Sequence, residues 1–199
     1  MDIKRRYMEE LKKKLESIVP TLDKRELDSR FPQIAEFLMK NYGIESHGKT
    51  YLINEIEFYY YDPLYDDFRV GSSKCRITYE RTASAGCWFF HDYGVDLTFN
   101  SNKEKGYGGG ILIRSIEDPS KPEPFITGPG RCINELWQDA VYAFRTTAPN
   151  PRIVRINERS VEFNEPDTRV TVDKYDKYQS KWRFTVKGKD VSKRKNKVL

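Results

Sequence analysis

Residues 50–61, TYLINEIEFYYY, constrain the fold more than any other stretch. Ile53, Ile56, Phe58 and three consecutive tyrosines favour an extended, partly buried segment, which commits the chain to a β-sheet. Two acids nevertheless sit inside it. Glu55 and Glu57 are two residues apart, so strand alternation sends both to one face. Either that face is solvated and the charges keep it soluble, or one carboxylate stands in an aromatic pocket for chemistry.

The rest of the chain supplies the partners. MDIKRRYMEELKKKLESI places Ile3, Tyr7, Leu11, Leu15 and Ile18 at helical spacing, and Pro20 ends it. A second helix is predicted from Asp28 to Tyr42, with Ile34, Phe37 and Leu38 on its apolar side and Asn41-Tyr42-Gly43 as its exit. From Lys49 onward strands dominate: Thr50–Tyr61, Cys75–Glu80, Cys87–His91 and Val95–Asn100. HDYGVDL reads as a hairpin with Asp92-Tyr93-Gly94 at its tip. KEKGYGGG reads as a flexible turn before the apolar strand ILIRSIE, and DPSKPEP as a surface loop. A helix is predicted near 131–145. Strands follow at Ile153–Ile156, Val161–Phe163, about Arg169–Val172, and along SKWRFTVKG. The expected architecture is a single α+β domain over 1–199, with a mixed, mostly antiparallel sheet. Residues 1–45 form its helical N-terminal part, 49–192 its β-rich part and 193–199 a basic tail.

Composition narrows the function. An aromatic content of 14% argues against disorder even though charged residues reach 33%. Three cysteines without a CxxC pair and two histidines suit reduced thiols and no metal site. No apolar run reaches membrane-spanning length and the N-terminus is charged, so the expectation is a cytoplasmic protein. The net charge of +5 is uneven: eleven Lys/Arg face three Asp/Glu from Arg169 to Leu199. Such a segment suits a polyanion, because each neutralised phosphate releases counterions; a solvated basic tail is the plainer reading.

Several stretches together resemble the alkyladenine (3-methyladenine) DNA glycosylases. INEIEFY is similar to that family's glutamate-containing strand, and FHDYG to its hairpin with a Tyr-Gly tip. GGGILIRSIEDP resembles its apolar strand carrying an arginine, GPGRCINEL the opening of its helix, and TRVTVDKYDKYQSKWRFTVKGKDVS its closing segment. The matches run in order over about residues 34–192. The chain departs from the family in the acidic loop after Tyr61, in Trp88 and Phe90 where tyrosine is usual, and in Thr171 where a glycine follows Arg-Val. The base pocket is therefore rebuilt, and the resemblance does not name the base that is excised.

The resemblance implies the glycosylase (formyltransferase C-terminal-like) fold and hydrolysis of a base–deoxyribose bond. The nucleotide is extruded from the stack into an aromatic pocket, and a carboxylate activates water against an oxocarbenium-like centre. Glu57 matches the catalytic glutamate, Arg114 the arginine that holds the water, and Val170 the position whose carbonyl contacts it. Arg114 also reads as a plain buried ion pair, which is compatible with that role. Tyr59, Phe90 and His91 would wall the base and Asn100 contact it. Aromatic packing for Phe90, a satisfied hydrogen bond for His91 and a strand end for Asn100 are the alternatives. Tyr93 is the candidate wedge that fills the gap left in the duplex. Arg131, Lys181 and Arg183, with Lys187 and Lys189, are candidates to track phosphates or simply to be solvated. The implied protein is a monomeric, cofactor-free, monofunctional enzyme on double-stranded DNA, since no lysine stands beside the glutamate as an amine nucleophile. The alternatives are a non-catalytic nucleic-acid or nucleobase-binding protein on the same fold, and an unrelated ligand-binding α+β protein.

Overall fold

A computed structural model describes residues 3–20, 23–62, 84–102, 104–138, 150–170 and 180–191. Helix α1 spans Ile3–Glu16 and α2 Lys24–Asn41. The second helix starts a turn earlier than its apolar spacing suggests, because Asp23 and Glu26 form a reciprocal capping box that satisfies orphan backbone donors. Its exit is also different. Tyr42 leaves the helix already extended and opens a strand, β1 (Tyr42–Ser46), which its apolar content did not announce.

The remaining strands are β2 (Lys49–Tyr61), β3 (Trp88–His91), β4 (Gly94–Thr98), β5 (Gly108–Glu117), β6 (Phe125–Thr127), β7 (Arg152–Arg155) and β8 (Arg183–Thr185), with α3 at Pro129–Leu136. They form one curled antiparallel sheet in the order β3-β4-β5-β2-β1-β7, with β6 added to β5 and β8 to β2. The predicted strand Val161–Phe163 is instead a single bridge from Phe163 to Val186, and Arg169 and Val170 lie outside any strand. The predicted strand at Cys75–Glu80, the second half of the helix near 131–145 and the tail 193–199 fall outside the described residues.

The turn expected at KEKGYGGG is shorter than it reads, because Gly108, Gly109 and Gly110 belong to β5. A Cβ on Gly109 would collide with the Tyr59 carbonyl oxygen, and one on Gly110 would stand 3.1 Å from Asp96 Cβ. The missing side chains let β5 lie close against β2 and β4 at the centre of the sheet.

The sheet register skips Asn54 on β2 and Arg114 on β5. These paired irregularities put Ile53 and Ile56, three apart, on the same core side. That side, with Phe58, Tyr60, Ile111 and Ile113, packs against α2. Phe31 stacks on Phe58 at 4.4 Å and meets Trp182 edge-on at 4.8 Å. The opposite side receives Glu55, Glu57 and Tyr59. No described helix is long and apolar enough to cross a membrane.

Candidate active site

Cross-strand partners share a face, and the register runs Phe89, Asp96, Leu112, Glu57, Arg183 across five strands. Glu57 lies within this row, completely buried. Three donors converge on its carboxylate. The Tyr59 hydroxyl donates to Oε2 at 2.6 Å, Arg114 Nη1 to the same oxygen at 3.2 Å, and the Val170 backbone N–H to Oε1 at 2.7 Å. The resemblance implied a role for the Val170 carbonyl; the contact present is made by its N–H.

Glu55 is equally buried, so neither acid of β2 faces solvent. It holds two arginines. Its Oε1 accepts from Arg114 Nε at 3.2 Å and Arg183 Nε at 2.7 Å. Arg183 Nη1 reaches on to Asp167 Oδ2 at 3.3 Å. A continuous chain of charges therefore runs from Glu57 through Arg114, Glu55 and Arg183 to a partly exposed carboxylate. Burial works against the Arg114 charge, but the Glu57 and Glu55 carboxylates outweigh it and hold the guanidinium above its usual range. Burial is also the main reason the Tyr59 phenol is pushed far up, with the Glu57 charge adding to it against Arg114 and Arg169. Tyr59 is accordingly a neutral donor to Glu57.

Behind Tyr59 stands Arg169, fully buried. Its guanidinium makes cation–π contacts with the rings of Tyr59 and Trp182 and donates through Nη1 to the Phe58 carbonyl. Sequence reasoning passed over Arg169, as it passed over Asp96, a buried acid on β4. The available signal was an acid within GVDLTF, an otherwise apolar strand. Asp96 Oδ1 pairs with His91 Nε2 at 3.3 Å, while His91 Nδ1 accepts from the Tyr93 N–H at 3.2 Å. Both ring nitrogens of His91 are engaged within the hairpin, as the hydrogen-bonding alternative anticipated.

The other candidates scatter. Phe90 points to the opposite face of β3 from His91, is 52% exposed, and packs edge-on against Trp137 at 4.8 Å. Strand alternation thus separates it from Glu57. Asn100 braces a loop, its Oδ1 accepting from the Ala85 N–H. Tyr93 sits at the β3–β4 turn, partly buried with its ring 6.1 Å from His91. Arg131 is exposed on α3 beside a shallow depression with Phe125, Ile126 and Asn134, and Lys181 is exposed before β8. Arg183 requires correction: buried and paired with Glu55 and Asp167, it braces the site instead of tracking phosphates. Lys187 and Lys189 pair with Glu162 and Glu117.

Among the described residues no cluster of His, Cys, Asp or Glu is arranged to hold a metal ion. Burial, with Glu55 nearby, pushes the Cys132 thiol up to about 12, so it is no nucleophile at neutral pH. Compared with known proteins, the chain matches no family model and no curated protein.

Proposed function

We propose that the chain is a monofunctional DNA glycosylase of the alkyladenine type that hydrolyses the N-glycosidic bond of a damaged or modified base flipped out of duplex DNA. The observation that carries this reading is the enclosed carboxylate of Glu57, held by Arg114, Tyr59 and the Val170 N–H on an aromatic strand. In the reaction Glu57 takes a proton from the attacking water, and its charge stabilises the oxocarbenium-like sugar. Arg114 orients Glu57 and the water. Tyr59 fixes the second oxygen and offers a ring edge toward the base. The reading carries with it double-stranded DNA as partner, a monomeric state and a cytoplasmic location. Basic residues of the C-terminal segment, Lys181 among them, would supply salt-sensitive backbone contacts.

A panel of duplexes bearing alkylated, deaminated and naturally modified bases, scored for abasic sites, tests it. Wild type is expected to release a base from at least one duplex, and Glu57→Gln to lose about 10²–10⁴-fold in rate. Equal rates in the two proteins, or no release from any duplex, would sink the proposal.

One observation favours a second reading. Glu57 has no exposed surface and both its oxygens already accept hydrogen bonds, which suits a fixed structural anion beneath a nucleobase-binding face that performs no hydrolysis. Salt-sensitive DNA binding without base release would select it.

A further inference from the structure

We propose that Arg169 is a positioning residue that sets the geometry of the Glu57 carboxylate from both sides. This rests on the hydrolytic reading of the same site. The Arg169 guanidinium is 5.0 Å from the Tyr59 ring centroid and 5.3 Å from that of Trp182, within cation–π range of both rings. Its Nη1 donates to the Phe58 carbonyl at 3.3 Å, which ties it to the strand that carries Glu57. Tyr59 donates to Oε2 of Glu57, and Val170, covalently next to Arg169, donates to Oε1. Both oxygens are therefore gripped by groups that Arg169 locates, one through the cation–π contact and the other through the peptide chain.

The clamp has a rigid backing. Trp182 Nε1 donates to Asp28 Oδ1 of α2 at 2.8 Å, its carbonyl accepts from the Phe58 N–H at 2.9 Å, and Phe31 meets its ring edge-on. The order is α2, Trp182, Arg169, Tyr59, Glu57. The third place suits a guanidinium, because its delocalised cation interacts with aromatic faces and carries several N–H donors in a fixed fork, one of which reaches the Phe58 carbonyl. Lysine retains the charge and loses the fork.

Arg169→Met and Arg169→Lys, each compared with wild type, test the assignment by steady-state kinetics and by amide hydrogen exchange. Displacing the carboxylate by about an ångström is expected to lower kcat about 10–100-fold in both variants, with KM changed by less than about threefold because Tyr59 meets the base only at its ring edge. Lysine gives no rescue. In the same variants the Val170 amide is expected to exchange at least about tenfold faster while the Ile56 and Ile113 amides keep their wild-type rates. Unchanged kcat, full activity in Arg169→Lys, or a parallel acceleration of Val170 and the core amides would each overturn the proposal, the last by reducing Arg169 to general stability. If wild type releases no base at all, the hydrolytic reading falls alone. Exchange then decides for Arg169: selective loss at Val170 upholds it, and uniform or absent change ends it.

Discussion

Glu55 accepts from two buried arginines, so its charge is the hinge of the ion network even though the proposed chemistry belongs to Glu57. Removing one member of such a network leaves uncompensated charge in a poorly solvated place. Glu55→Leu is expected to destabilise the protein by about 3–5 kcal/mol, the usual cost of orphaning a buried ionic partner. Urea unfolding monitored by tryptophan fluorescence measures this directly. A loss under about 1 kcal/mol would mean that Arg114 and Arg183 find other partners. The two glutamates were legible in the sequence as a same-face pair, but their division of labour was not. That division depends on which arginine arrives from β5 and which from β8, and neither strand's register can be read from spacing.

The strand elements were legible to different degrees for a physical reason. Helix α1 has a regular apolar period and strand β2 a long run of β-branched and aromatic residues, so local pattern and propensity identify them. β5 opens with three glycines that have low strand propensity; the close approach of Tyr59, Tyr60 and Phe99 explains Gly109, and that of Asp96, Leu97 and Thr98 explains Gly110. Gly109→Ala is therefore expected to cost about 3 kcal/mol, the top of the overpacking range, since its Cβ would meet immovable backbone. A methyl group on Gly130, in α3, would meet nothing within 4 Å. Gly130→Ala serves as the control and is expected to be neutral or to stabilise by up to about 1 kcal/mol. Thermal unfolding of the two variants side by side checks the contrast; equal behaviour would refute the close-approach account of β5.

Across the whole molecule, charge placement makes stability depend on pH. Burial alone would raise the Asp118 carboxyl, but hydrogen bonds from the Ser120 hydroxyl, from Lys49 and from the Ser120 N–H outweigh it and hold it at about 2. A carboxyl depressed in the folded state stabilises fully above its ordinary value near 3.8, and that contribution is lost as pH falls through the folded value. The stability gap between wild type and Asp118→Asn is thus expected to be constant above about pH 5 and to shrink as pH falls toward 2. Denaturant titrations across that range test it, and a gap that widens on acidification contradicts the sign. The same carboxylate fastens the start of the 118–124 turn through the Ser120 contacts and pairs with Lys49 of β2. Its titration therefore reports on the docking of that turn against the sheet.

Alone, the amino-acid order determined the helical beginning, the β-rich remainder, and a strand carrying two acids toward one side. These follow from side-chain periodicity, which is a property of neighbours along the chain. Folding in three dimensions decided that the acids are enclosed, that Arg183 is a brace instead of a surface cation, that Phe90 faces away, and that Asp96 and Arg169 join the site. Those outcomes turn on strand register, paired bulges and contacts between segments more than a hundred residues apart, as with Phe58 and Arg169. Long-range pairing of that kind leaves no periodic trace, because each partner is chosen by what the fold brings opposite it.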